Sequence, residues 1–174
     1  MNPTGWDASP SPVQTLAMPV ILVRHAVALS RRSWVGDDAD RPLDDRGRRQ
    51  AEALHGSTLA PFAIDRVLSS PALRCVATVA PTASANDLAV EQEDDLFEGH
   101  GPDAIALVRN LLRGGGDEAV VLCSHGDVIP EVLVALERVG TDLGTDRRCQ
   151  KGSAWVLERG PEETVSARYL PPPA

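Results

Sequence analysis

Three things are scarce or missing in this chain, and each removes a class of explanation. Its 174 residues hold three cysteines, Cys75, Cys123 and Cys149, an odd number with no Cys-x-x-Cys spacing. Neither a disulfide framework nor a zinc site is indicated, and a reducing compartment fits. No stretch comes near the roughly 18 consecutive apolar residues that span a bilayer, and residues 1–18 contain three prolines but no apolar signal-peptide core. A cytoplasmic protein is therefore expected. Positive charge is also short, with 17 Lys and Arg against 25 Asp and Glu and a formal net charge of −8. A net acidic protein is not drawn to polyanions, which argues against nucleic-acid and membrane partners.

What is present points to one domain. A 43% hydrophobic content at this length supplies a single sizeable core. The expected layout is a disordered tail over residues 1–18, a domain over 19–170, and a short tail, 171–174, that opens with three prolines which cannot extend the fold. Val20-Ile21-Leu22-Val23 is an aliphatic run without alternation, the pattern of a parallel strand buried on both faces, and it ends in Arg24-His25. Function in such sheets gathers at the carboxyl ends of the strands. Neighbouring strand side chains point to opposite faces, so Arg24 and His25 can share a ligand only where the backbone leaves strand geometry, near His25.

Alone, an Arg-His pair reads as a strand-end histidine bonded to a loop beside a surface charge. A second occurrence changes the balance. Val120-Val121-Leu122-Cys123-Ser124-His125-Gly126 repeats the design, with Asp127 opening a helix. Parallel strands of one sheet end at the same edge, which brings His25 and His125 together across a crevice.

Between these strands, the polar loop from Ala28 to Leu43 is longer than a usual βα connection and suggests a functional loop over the site. A helix follows from Asp44 or Asp45, with Ala51, Leu54 and Thr58 inward; His55 beside that stripe reads as packed or surface. Arg66-Val67-Leu68-Ser69 is the second strand. Ser70-Pro71 reads as an N-cap and first helical residue, which puts Arg74 near a helix N-terminus suited to a dianion. The acidic segment Glu91–Glu98 carries Asp94, Asp95 and Glu98. A helix over 102–112 stopped by Gly114-Gly115-Gly116, a helix over 128–139, and a hairpin of 154–157 and 164–170 about Gly160-Pro161 complete a three-layer α/β/α fold. Its central sheet is mostly parallel, and the C-terminal hairpin lies at the edge. The doublets Arg31-Arg32, Arg48-Arg49 and Arg147-Arg148 read as solvated surface unless the fold brings them to the histidines.

Two histidines and two arginines, with no carboxylate or cysteine at metal-ligand spacing, suit a phosphoryl group better than a metal, and no cofactor is called for. Phosphoryl transfer needs positioned cations and donors, an in-line nucleophile such as neutral imidazole, and a proton for the leaving oxygen.

At this point the sequence resembles the histidine phosphatase superfamily, also called phosphoglycerate-mutase-like. Arg24-His25-Ala26 resembles its Arg-His-Gly motif, with alanine in place of glycine. Ser69-Ser70-Pro71-Ala72-Leu73-Arg74-Cys75-Val76-Ala77-Thr78 resembles its Ser-Ser-Pro-x-x-Arg-x-x-x-Thr, and Ser124-His125-Gly126 its Ser-His-Gly. Pro42-Leu43 and Gly47-x-x-Gln50-Ala51 also fit the helix after the first motif.

The resemblance covers about residues 19–170. It implies a phosphohistidine intermediate on His25, a phosphate pocket of Arg24, Arg74 and His125, and an acid after the third strand, with Glu98 favoured over Asp95. The nearest likeness is to small bacterial phosphohistidine phosphatases and to the phosphatase-like half of some Nudix hydrolases, where loops like Trp34–Asp38 and Arg41–Asp44 occur. Where mutases carry Thr and Asn, this chain has Ala28 and Arg31, which speaks against phosphoglycerate chemistry.

The expected function is metal-independent phosphatase action on a phosphomonoester, nucleotide or phosphohistidine. The alternative is a module that binds phosphoproteins or phosphometabolites in the same pocket without turnover. Arg31, Arg32 and Lys151 are candidate contacts to the rest of the substrate.

Overall fold

The computed structural model describes residues 19–114, 118–160 and 164–173. The tail expected over 1–18 lies outside the described residues, as do Gly115, Gly116 and Pro161. Six strands form one sheet in the order β3-β2-β4-β1-β5-β6. Strands β1 (Val20–Arg24), β2 (Arg66–Ser69), β3 (Val90–Gln92) and β4 (Val120–Ser124) are parallel, and β5 (Ala154–Arg159) and β6 (Val165–Leu170) form the antiparallel edge hairpin. Among the described residues four α-helices flank them, α1 (Asp45–Ala53), α2 (Leu73–Ala85), α3 (Gly101–Arg113) and α4 (Val128–Glu137). No helix among the described residues is long and apolar enough to cross a membrane.

The aliphatic strands bury both faces because successive residues serve different layers. Val20 and Leu22 of β1 pack with Val108 of α3 and Val132 of α4. Ile21 and Val23 pack with Leu54, just past α1, and with Cys75 and Val79 of α2. The expected three layers follow from this division. β1 and β4 are immediate neighbours in register, Arg24 opposite Ser124, so the residues after each, His25 and His125, emerge side by side.

One helix start differs from expectation. α2 begins at Leu73, with Ala72 at its cap position and no side-chain cap. Ser70 is not that cap because its hydroxyl lies 2.8 Å from His125 Nε2, leaving only a long 3.4 Å contact to the Ala72 amide. The Asp44 carboxylate does cap α1, accepting from Gly47 N at 2.7 Å. α1 runs on into a π-helical turn, Leu54–Thr58, that includes His55.

Candidate active site

The backbone leaves β1 immediately after Arg24. The Arg24 amide donates to Ser153 O on the β5 side, and the His25 amide donates to Ser124 O on the β4 side, both at 3.0 Å. His25 then turns its ring back, with Nδ1 2.8 Å from Ala26 O. A carbonyl only accepts, so Nδ1 carries the proton and Nε2 presents a lone pair. Burial, reinforced by the positive charges of Arg74 and Arg24, lowers the His25 pKa from 6.5 to about 3. The imidazole is neutral at physiological pH and its nucleophilic nitrogen is available.

Alanine at position 26 is accommodated. Its φ is not positive, and it packs with Ala28, Leu43 and Ala51. The Ala26 amide donates to Thr78 Oγ1 at 2.9 Å, and that hydroxyl donates to Arg74 O at 2.7 Å, tying the His25 turn to α2.

His125 stands edge-on to His25, ring centroids 5.6 Å apart, and to Phe97 at 5.7 Å. Arg74 Nη2 donates to its Nδ1 at 3.3 Å, so Nδ1 is the acceptor nitrogen and Nε2–H faces Ser70 Oγ. Arg74 is 1% exposed. Its Nη1 donates to Asp38 O at 2.7 Å and its Nη2 meets Glu98 Oε2 at 3.1 Å. Arg24 donates from Nη1 to Cys149 O and lies flat against Gly126, where a Cβ would stand 2.5 Å from its Cζ. That close approach requires glycine. The Nε–H groups of Arg24 and Arg74 are both buried without a hydrogen-bond partner among the described residues. Two unsatisfied guanidinium donors beside a neutral imidazole suit a dianionic, tetrahedral oxygen group.

The cavity at these strand ends measures about 580 Å³ and is lined by Arg24, His25, Arg31, Glu98, Asp127 and Lys151 among others, whereas Arg74 and His125, expected in the phosphate pocket, are buried and are not among its lining residues. Glu98 reaches it and is held by Arg31 Nη2, with contacts of 2.6 and 2.8 Å, as well as by Arg74. Asp94 and Asp95 sit on a 3-10 turn, Asp94–Leu96, and do not line the cavity. Of the other candidate contacts, Arg31 and Lys151 line it, whereas Arg32 is exposed and does not. Among the described residues no group of three or more His, Cys, Asp and Glu is arranged to hold a metal ion.

Several contributors were not singled out from sequence. Asp38 bonds Arg41, Arg31 and Arg74, and the Arg41 guanidinium above all pulls its pKa down to about 2. Arg41 is itself buried and donates to Leu29 O at 2.7 Å, which pins the long loop. Asp38 and Arg41 lie in loop stretches the family shares, and that was the available signal. The role of Cys149 runs through a carbonyl, which no residue type reveals.

The fold and these paired histidines define a phosphoryl-handling site, and the family model described as histidine phosphatase superfamily (branch 1) matches residues 20–104. The chain belongs to the histidine phosphatase superfamily. It is 38% identical over 157 residues to an 8-oxo-(d)GTP phosphatase of Mycolicibacterium smegmatis, covering 88% of this chain and 48% of that protein. The chain thus spans about half the length of that relative. A phosphohistidine phosphatase SixA homolog of Haemophilus influenzae is 27% identical over 129 residues, 68% of this chain and 77% of that one. A solved structure of a candidate phosphohistidine phosphatase SixA from Nakamurella multipartitia superposes with a TM-score of 0.71 at 26% identity, covering 90% of this chain and 97% of the other.

Proposed function

We propose that this chain is a metal-independent phosphatase that passes a phosphoryl group to His25 and then to water. The observation that carries this reading is the His25 ring, its Nδ1 fixed on Ala26 O and its Nε2 lone pair free, beside the two unpaired guanidinium Nε–H groups. Nε2 attacks phosphorus, the bond from phosphorus to the leaving oxygen breaks, and that oxygen takes a proton from Glu98. Arg24 and Arg74 hold the phosphoryl oxygens as charge redistributes over them, and His125, its two ring nitrogens engaged with Arg74 and Ser70, orients the Arg74 guanidinium. Water then attacks the phosphohistidine and gives its proton to Glu98. The P–N bond breaks and the electron pair returns to Nε2.

The substrate in this reading is a phosphorylated small molecule, a nucleotide or a phosphohistidine protein, in keeping with the names of the relatives. The compartment is the cytoplasm, consistent with three free thiols. The experiment is turnover of p-nitrophenyl phosphate by the purified protein and by His25→Ala. The wild type should be active and the variant reduced to background, and full activity in His25→Ala would overturn the assignment.

A further inference from the structure

The cations around the cavity differ in what already occupies them. Arg24 is committed to Cys149 O, Arg41 to Asp38 and Leu29 O, and Arg31 to Asp38 and Glu98. Lys151 lines the same cavity, half-buried, and its ammonium makes no ion pair or hydrogen bond among the described residues. Its backbone is held firmly. Gly152 N donates to Arg24 O and His25 O at 3.1 and 3.2 Å, Ser153 O accepts from the Arg24 amide, and Gln50 Nε2 reaches Lys151 O at 3.4 Å. The residue is thus fastened to the strand end that carries the nucleophile, while its side chain faces the cavity.

Burial first, then the neighbouring Arg24, Arg41 and Arg31 charges, lower the Lys151 pKa against the opposing charge of Asp44, so the nearby cations outweigh the nearby carboxylate. A half-buried cation held among other cations is stabilised by an anion brought to it. The cavity, at about 580 Å³, has room well beyond one phosphoryl group.

We propose that Lys151 anchors a second anionic group of the substrate, a phosphate or carboxylate carried close to the phosphoryl group that reacts at His25. This rests on the phosphatase reading and narrows it to doubly anionic substrates. It also separates three residues that look alike in sequence. Lys151 recognises substrate, Arg31 is spent on Glu98, and Arg32 stands outside the cavity.

The test measures inhibition of p-nitrophenyl phosphate hydrolysis by orthophosphate, pyrophosphate and phosphonoacetate, in wild type, Lys151→Gln and Lys151→Arg. In the wild type, pyrophosphate, phosphonoacetate or both should bind about tenfold or more tightly than orthophosphate, the scale of one charge-assisted contact. Lys151→Gln should abolish that advantage and Lys151→Arg should keep most of it. An advantage for pyrophosphate alone identifies the second group as a phosphate, and one for phosphonoacetate alone as a carboxylate. No advantage in the wild type, or an equal one in Lys151→Gln, overturns the proposal. Absence of wild-type turnover would count against the phosphatase reading instead, and calorimetric titration of the same three anions then decides the subsite on its own.

Discussion

His25 is 6% exposed, Arg74 and His125 1% each and Ser70 not at all, whereas the Arg31 and Glu98 side chains at the other side of the cavity are 61% and 36% exposed. The inner corner is built from strand ends and a helix, and its polar groups are buried, most of them held by neighbours while the Nε–H groups of Arg24 and Arg74 are left without a partner among the described residues. The outer rim is built from two loops, Ala28–Leu43 and the segment after β3, joined by ion pairs that water can reach. Charges in a dry corner act at low effective dielectric and are worth several times what the same charges are worth in solvent. Exposed pairs contribute about 0–1 kcal/mol each. In the proposed function, the inner corner carries the phosphoryl chemistry and the rim adjusts what is attached to the phosphoryl group.

Substitutions on either side should break this contrast in graded steps. Arg74→Ala removes a buried guanidinium from the transition state and should cost about 10³ in kcat on p-nitrophenyl phosphate, with Arg31→Ala costing only a few-fold in the same assay. Comparable losses from the two would erase the distinction. Glu98→Gln should slow alkyl phosphate hydrolysis about a hundredfold while sparing aryl phosphates, whose leaving groups need less protonation. Equal losses on both would move the acid elsewhere, with Asp127, which also lines the cavity, the next residue to substitute.

Ser70→Ala should reduce kcat about tenfold by leaving the buried His125 Nε2–H without its partner, a penalty of about 1–3 kcal/mol. The nitrogen-15 shifts of His125 should change with it, which a loss of packing alone would not produce.

The smallest effect concerns acid stability. His25 has a folded-state pKa of about 3 against 6.5 for the free side chain. Between those values the unfolded chain binds a proton that the folded chain refuses, so stability falls as pH drops through that window and is unaffected above it. His25→Ala lacks this penalty, and its denaturant midpoint should fall less than that of the wild type from about pH 7 to about pH 4.

The same contrast explains what the sequence disclosed. β1 and β4 were legible because an aliphatic run buried on both faces has few alternatives, and their terminal histidines marked the sheet edge. Arg74 lies in the first turn of α2, as the Ser-Pro pattern indicates, although the helix starts two residues later than that pattern predicts. The Ser-Pro signal for a cap is real, but here the His125 imidazole claims the hydroxyl. Glu98 was picked from its neighbours by family likeness, and it is the one of the three carboxylates that reaches Arg74. What sequence did not disclose sits in loops and main chain: the Asp38 node, the Arg41 clamp, the Cys149 carbonyl under Arg24 and the Phe97 ring against His125. These depend on how segments distant in sequence meet, which residue types and local spacing do not encode. The three rim cations Arg31, Arg32 and Lys151 looked equivalent for the same reason, since a solvated charge and a recognising one differ only in what the fold sets beside them.

The proposed function stands or falls on covalent phosphorylation of His25. Rapid mixing of the protein with a ³²P-labelled phosphate ester, followed by quenching in base, should trap phosphate on the protein that survives alkali and is released by acid, and His25→Ala should trap none. Saturable binding of the ester with no protein-bound phosphate would contradict the account and leave a module that binds phosphorylated ligands without turning them over.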